Sequence, residues 1–185
     1  MKNIFIGMLF VFLNFDLSFG PVIIGFIPTF VGYIIMAKGL EELAGFSDRF
    51  LKVAPYVIGM AIFSGISYAM DLFGITATLE ESSSGNFFVF LLIGLVLAIA
   101  SIYITYSIIM GIKEIETTRG QGLNSGPLYS AWRVSVIFSL LSLAFAFIIP
   151  ELALVCVIVT FVVYVYYLFM FNKTKNLFYQ ENPAS

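Results

Sequence analysis

The chain contains no histidine, a single cysteine and very few charged residues. Without histidine, rhomboid-like Ser/His hydrolysis, CAAX-type proteolysis, histidine-based lipid phosphatases and haem ligation by histidine have no general base or metal ligand. The lone Cys156 allows no internal disulfide, so cysteine usage does not report the redox compartment. Only 11% of the residues are charged, against about 25% in soluble domains. These absences argue against an enzyme and against a soluble protein.

Apolar side chains are what the chain has in excess. Hydrophobic residues make up 61% of the 185 residues, and the mean hydropathy is +1.03. A folded protein of this size still exposes much of its surface, so lipid must cover the apolar exterior. In lipid every backbone polar group needs an internal hydrogen bond, which favours helices. The composition therefore predicts an all-α integral membrane protein.

Six apolar runs have the length expected of membrane-spanning helices, about 17 to 25 residues. The predicted architecture is a bundle of six transmembrane helices in a single domain over residues 1–175. A short cytoplasmic polar tail is predicted at 176–185. The six predicted spans are residues 3–19, 21–37, 53–72, 87–111, 128–149 and 152–171.

The basic residues give the orientation of this topology. All nine Lys and Arg residues fall on one side of the six spans. The opposite side carries only acids, namely Asp16, Asp71, Glu80, Glu81 and Glu151. By the positive-inside rule both termini are predicted to be cytoplasmic, in a multi-pass protein of the plasma membrane.

The first segment has an alternative interpretation as a secretory signal. An apolar run after Lys2 is followed by small residues at 18–20, as at a cleavage site. Pro21 comes directly after that position and argues against cleavage. Cleavage would leave five spans and would not change the orientation of the others.

The stretch GPVIIGFIPTFVGYIIMAKGL places Pro28 near the middle of the second predicted span. Proline removes a backbone donor, and a membrane helix tolerates the resulting kink when neighbours satisfy the freed carbonyl. Broken helices of transporters also place Gly and Pro near the midplane, beside the solute. The fifth predicted span has no matching Gly or Pro. We therefore expect a kinked, packed helix, and a functional break remains the alternative.

Within this stretch, IGFIPTFVGYIIMAKGLEEL resembles a segment that recurs in a family of small bacterial polytopic membrane proteins. The resemblance covers the first part of the chain. It implies no activity, cofactor or site residue, so none is transferred.

Two connections on the predicted cytoplasmic side have a recognisable pattern. Residues 40–52 mix Leu and Phe with charges and are interpreted as an amphipathic helix at the inner surface. The alternative is a solvated connection that continues the second helix. The glycine-rich residues 117–127 are predicted to form a flexible loop.

Small and hydroxyl residues recur at helical spacing on three predicted spans. This pattern is typical of close helix packing, with hydroxyls bonding across the contact. The residues are Ala61, Gly65 and Ala69 on the third span, Gly94, Ala98, Ser101 and Thr105 on the fourth, and Ala131, Ser135, Ser139 and Ser142 on the fifth.

A sharper hypothesis places a polar cavity among these spans, opening outward. Acids at its mouth would attract cations and repel anions. The candidate residues are Ser64, Ser67, Tyr68 and Asp71 on the third span, with Asp16 and Glu151 at the mouth. The alternative, which the positions near span ends favour, is that Asp71 and Glu151 are solvated helix ends.

Two classes of function remain. The first is a transporter, channel or transporter subunit for a cation or small polar solute. The second is a non-catalytic scaffold, assembly factor or sensor subunit that acts through a membrane-protein partner. No cofactor, metal or nucleic acid is expected, and the predicted partners are the lipid bilayer and either another membrane protein or a second copy of the chain.

Overall fold

A computed structural model describes residues 1–12, 16–19, 22–25, 28–73, 75, 87–120 and 122–182 of the chain. Within these residues the architecture is helical apart from one short β-hairpin. The helices are α1 (Lys2–Phe12), α2 (Thr29–Leu43), α3 (Asp48–Leu72), α4 (Phe87–Arg119), α5 (Ser125–Ile148) and α6 (Pro150–Glu181). The strands are β1 (Asp16–Phe19) and β2 (Val22–Gly25), which pair antiparallel with Asp16 opposite Gly25 and Phe19 opposite Val22.

Four of the described helices, α3 to α6, are long and apolar enough to cross a membrane. The last four predicted spans fall on these helices. Their apolar side chains are widely exposed, and Leu92, Val96, Val162 and Phe169 each have more than 60% of their surface accessible. Exposed apolar side chains on long helices are stable against hydrocarbon and unfavourable in water. The prediction of a helical membrane protein is confirmed.

The described chain divides into two compact units. Unit 1 comprises Met1–Gly45 and Phe50–Ile104, and unit 2 comprises Phe46–Arg49 and Thr105–Ser185. Unit 1 therefore holds α1, the hairpin, α2 and nearly all of α3, while unit 2 holds α5, α6 and the second part of α4. The prediction of one domain over 1–175 stays a prediction.

The first two predicted spans are two shorter helices that flank the hairpin. Helix α1 has 11 residues and α2 has 15, so they are about 17 and 23 Å long, less than the roughly 30 Å of hydrocarbon. Pro28 immediately precedes α2, with φ −62° and ψ 122°. The predicted kink inside the second span is thus wrong. Proline suits a helix start because the first turn uses no N–H of its own.

Helices α1 and α2 pack at backbone contact distance through three glycines. A Cβ atom at Gly7 would lie 2.5 Å from the carbonyl oxygen of Gly32, and one at Gly39 would lie 2.6 Å from the backbone nitrogen of Ile4. Any side chain larger than hydrogen would push the two backbones apart, and small residues are what allow such close contact between membrane helices. Buried apolar side chains surround the contact: Ile4, Met8, Met36 and Leu40.

In unit 2, the α4–α5 connection is short and held by carboxylates. Helix α4 continues to Arg119, and Gly120 ends it with φ +67°, a left-handed conformation that glycine adopts easily. The Glu116 carboxylate accepts a hydrogen bond of 3.1 Å from the N–H of Ser125, the first residue of α5. The Glu181 carboxylate accepts one of 3.3 Å from the N–H of Gly122. The prediction of a flexible loop over 117–127 is therefore wrong for most of that stretch.

Helix α6 extends well past its predicted span. Pro150 is in its first turn, as its position between two apolar runs indicated. The helix continues to Glu181, so most of the predicted polar tail is helical. The reason is a buried face that persists beyond the apolar run, formed by Phe171, Thr174 and Phe178. Such a face, with one buried residue each turn, stabilises a helix independently of lipid.

Residues Phe46–Arg49, which include the end of the turn after α2 and the first two residues of α3, belong to unit 2. The half-buried Phe46 ring lies 5.2 Å from the Phe178 ring, and the Arg119 guanidinium lies 4.3 Å above it. The Ser47 hydroxyl donates a hydrogen bond of 2.9 Å to Glu114, which also pairs with Arg49 at 3.1 Å. The interpretation of 40–52 as one amphipathic helix is wrong, because α2 ends at Leu43, residues 44–46 form a turn and α3 begins at Asp48. It is also not a solvated continuation of α2.

Candidate functional site

The structure places four of the six predicted site residues on one face of α3. Ser67, Tyr68 and Asp71 follow Ser64 by three, four and seven positions, so the four side chains project from the same side of the helix. The Ser64 hydroxyl donates to the carbonyl of Met60 at 2.8 Å, one turn back on its own helix. The Tyr68 ring lies 5.7 Å from the Phe30 ring. The Ser64 hydroxyl is thus bonded within its own helix and the Tyr68 ring packs against another ring. Both contacts support the interpretation that this face packs against a neighbouring helix.

The two residues predicted at the mouth of the cavity lie elsewhere. Asp16 is the first residue of β1 in unit 1. Glu151 is exposed in the first turn of α6, in unit 2. A carboxylate there interacts favourably with the unpaired N–H groups of the helix start. Its position fits the alternative interpretation of Glu151 as a helix end, and the polar cavity around Asp71 stays a prediction.

A different groove, with some hydroxyl groups in a largely apolar lining, lies between α5 and α6 in unit 2. Its volume is about 340 Å³, and its lining mixes hydroxyl groups with apolar side chains. The lining residues are Ser139, Ser142, Val157, Thr160, Phe161 and Tyr164. We refer to it as the hydroxyl groove. Ser139 and Ser142 belong to the small-residue pattern found on the fifth predicted span, whereas Thr160 and Tyr164 were not predicted as site residues.

Thr160 is the unusual member of the hydroxyl groove. Its side chain is 8% exposed, and its hydroxyl oxygen has no hydrogen-bond partner among the described residues. The neighbouring Ser142 hydroxyl, in contrast, donates to the carbonyl of Ala153 at 3.3 Å and so joins α5 to α6. An unpaired buried hydroxyl costs about 1–3 kcal/mol. A bound molecule that reached this buried oxygen would supply its missing hydrogen bond.

The hydroxyl groove lies within the second half of α5 and the first half of α6. Thr160 is ten positions after Pro150, where α6 begins, and Ser139 is nine positions before Ile148, where α5 ends. At 1.5 Å per residue both residues are about 15 Å from these helix ends, which is half of the roughly 30 Å of hydrocarbon. A bilayer whose hydrocarbon began at these helix ends would have the groove near its midplane.

The chemistry of the groove suits an uncharged polar ligand. None of its lining side chains carries a charge at neutral pH. A cation entering it would lose its water without gaining a counter-charge, which is strongly unfavourable. Hydroxyls both donate and accept hydrogen bonds, so they recognise alcohols and amides equally well. Among the described residues, no cluster of three or more Cys, Asp or Glu side chains is placed to hold a metal ion.

A sequence signal for the α6 side of the groove exists but is weak. Cys156, Thr160 and Tyr164 follow one another at four-residue spacing within a run that is otherwise apolar. Four-residue spacing places them on one helical face. A single threonine in the run VCVIVTFVV is nevertheless common in packed membrane helices. What distinguishes Thr160 is its unpaired oxygen, which only the structure reveals.

Comparison of the chain with family models, with curated proteins and with solved structures gives no match.

Proposed function

We propose that the chain is a non-catalytic, multi-pass membrane protein that binds a small uncharged polar solute in the hydroxyl groove and conducts it across the membrane. The observation that carries this proposal is the buried, unpaired hydroxyl of Thr160, which is about 15 Å from the start of α6 in the lining of the groove. Solute sites of transporters commonly lie near the bilayer midplane between helices. The lack of charge in the groove narrows the predicted solute class from cations or polar solutes to neutral ones.

The proposal includes six membrane crossings with both termini in the cytoplasm of a plasma-membrane protein. Helix α1 and strand β1 together have a length of about 30 Å, and β2 with α2 is somewhat longer. The summed length of a helix and its neighbouring strand therefore reaches the thickness of the hydrocarbon for each of the first two proposed crossings. This arrangement keeps all nine basic residues on one side, in agreement with the positive-inside rule. Strand edges at membrane depth require cover by protein or contact with water.

A second function is favoured by the packed ends of α4 and α6. With 33 and 32 residues, these helices are about 50 Å long and extend beyond the hydrocarbon. Their ends hold the segment Phe46–Arg49 through the Phe46–Phe178 contact and the Arg49–Glu114 ion pair. Such an ordered surface suits a scaffold or sensor subunit that binds a membrane-protein partner. Stable co-purification of a second membrane protein in stoichiometric amount would favour this function over transport.

Ligand-dependent thermal unfolding of the detergent-purified protein tests the hydroxyl groove. We expect one of the neutral polar compounds urea, acetamide, glycerol, xylitol or sorbitol to stabilise the protein. A ligand at about one hundred times its Kd raises the unfolding free energy by about 2.7 kcal/mol. Thr160→Val should abolish this response because valine keeps the shape and removes the hydroxyl. Without ligand, the substitution should leave the unfolding free energy unchanged or raise it by about 1 kcal/mol.

Thr174→Val is the matched control. Thr174 is on the same helix, is fully buried and also has a hydroxyl without a partner among the described residues, but it is outside the groove. Its valine variant should keep the full response. Equal loss in both variants would refute a specific role for Thr160. A saturable response to a cation that disappears in Asp71→Asn would instead locate the site on α3.

A further inference from the structure

A second and larger groove lies between α2 and α3 in unit 1. Its volume is about 640 Å³. Small residues form part of its wall, isoleucines flank them, and one lysine and one glutamate complete the lining. The lining residues are Ile34, Ala37, Lys38, Glu41, Ile58, Ala61, Ile62, Gly65, Ile66 and Ala69. We refer to it as the isoleucine groove.

The isoleucine groove has one apolar end and one charged end. Helices α2 and α3 meet at Phe30, whose side chain is 3.8 Å from the Cβ position of Gly65 and whose ring packs against Tyr68. Lys38 and Glu41 are eight and eleven positions further along α2, about 12–16 Å from Phe30 along the helix axis. The groove therefore has an apolar part closed by aromatic rings and an opposite end that carries both charges.

The size of the groove suits a small ligand. Its volume is within the range of about 300–1,000 Å³ that is usual for small-molecule sites. An extended acyl chain is thinner than a helix, so it can lie along the small residues between the isoleucines.

The two charges define the headgroup that would accompany such a chain. Lys38 and Glu41 are both exposed, are one helical turn apart, and form no ion pair within the described part of the chain. Lysine binds phosphate as a point charge, and glutamate accepts hydrogen bonds from an ammonium group. A zwitterionic headgroup with a phosphate and an ammonium complements both residues, whereas a purely anionic headgroup would be repelled by Glu41.

We propose that the isoleucine groove binds one phospholipid with a phosphate–ammonium headgroup. One acyl chain lies against Ala61, Gly65 and Ala69, the phosphate pairs with Lys38 and the ammonium pairs with Glu41. This site is independent of the hydroxyl groove, which belongs to the other unit and carries no charge. The bound lipid would be a specific component of the protein, distinct from the exchanging lipids of the bilayer.

Native mass spectrometry of the purified chain with added lipids tests this site. The probes are phosphatidylethanolamine and phosphatidylglycerol with identical acyl chains. We expect one retained phosphatidylethanolamine per chain and weaker retention of phosphatidylglycerol. Lys38→Ala should weaken retention about fivefold, the contribution of one lysine near a charged membrane surface. Glu41→Gln should remove the preference for phosphatidylethanolamine without removing binding.

Three substitutions separate binding in the groove from general lipid affinity. Gly65→Leu fills the groove and should abolish the retained lipid, since its Cβ has only ordinary contacts and the helix should still form. Gly94→Leu, at a helical glycine with open space around its Cβ, and Lys52→Ala, at an exposed lysine outside the lining, should retain it. Equal retention in Gly65→Leu and wild type would overturn the proposal. So would a lipid-free dimer that Gly65→Leu converts to a monomer, because a second copy would then occupy the groove.

Discussion

Gly7→Leu and Gly32→Leu should each lower the unfolding free energy by more than about 3 kcal/mol. Overpacking a core usually costs about 1–3 kcal/mol, when neighbouring side chains can still adjust. Here the nearest atoms include backbone: a Cβ at Gly7 would be 2.5 Å from the Gly32 carbonyl oxygen, and one at Gly32 would be 2.8 Å from that of Gly7. Backbone atoms cannot rotate away, so α1 and α2 would have to separate. Thermal unfolding in detergent, followed by size-exclusion chromatography, measures the loss.

Gly59→Leu and Gly94→Leu are the matched controls for these two variants. Both glycines are inside long helices, and nothing is within 4 Å of the Cβ position that a substitution would add. Replacing an open helical glycine removes an unfavourable helix propensity of about 0.8–1.0 kcal/mol. These variants should therefore be as stable as the wild type or more stable. If all four variants lost stability equally, the close contact of α1 with α2 would not exist.

Phe46→Ala should release the segment Phe46–Arg49 and lower the unfolding free energy by about 2–3 kcal/mol. A fully buried phenylalanine truncated to alanine costs about 3–5 kcal/mol, and Phe46 is half-buried. It loses an edge contact with the Phe178 ring at 5.2 Å and the Arg119 guanidinium at 4.3 Å. The released segment should also become a substrate for trypsin at Arg49, because proteases cleave chain that opens locally.

Phe169→Ala is the control for this prediction. Phe169 is on α6, and 66% of its surface is accessible. Its truncation should leave both the unfolding free energy and the trypsin pattern close to those of the wild type. Phe46→Leu should retain much of the stability but lose the cation–π contact. Resistance of Phe46→Ala to cleavage at Arg49 would show that the Arg49–Glu114 pair alone holds the segment.

The long helices could be predicted because the apolar composition, the length of each run and the residues at its boundaries all indicate the same spans. Apolar runs of sufficient length, bounded by Pro150 and by the glycines after Arg119, predicted α3 to α6. For most of these helices the predicted first residue differs from the observed one by a few positions. The predicted C-terminal ends of α4 and α6 come several residues before the observed ends. Beyond the apolar runs these helices continue through a one-sided buried face, such as Phe171, Thr174 and Phe178, which hydropathy averaging does not detect.

The N-terminal hairpin and the hydroxyl groove could not be predicted in the same way. The residues of β2 are as apolar as those of a membrane helix and lead directly into the apolar start of α2, so composition alone favours a continuous span through Pro28. Thr160 resembles any threonine that packs between helices. Its distinguishing property, an unpaired oxygen in a groove wall, depends on which atoms α5 places opposite it. Such a tertiary relation has no local sequence pattern.

Osmotic reswelling of proteoliposomes tests the central proposal most directly. Vesicles are mixed with a hyperosmotic solution of urea, glycerol or sorbitol, and stopped-flow light scattering follows the volume as the solute enters. For at least one of these neutral solutes, vesicles with the wild type and with Thr174→Val should reswell faster than protein-free vesicles. Vesicles with Thr160→Val should reswell at the protein-free rate. If the wild type, Thr160→Val and protein-free vesicles reswell at the same rate for all three solutes, the hydroxyl groove is not a path for neutral solutes.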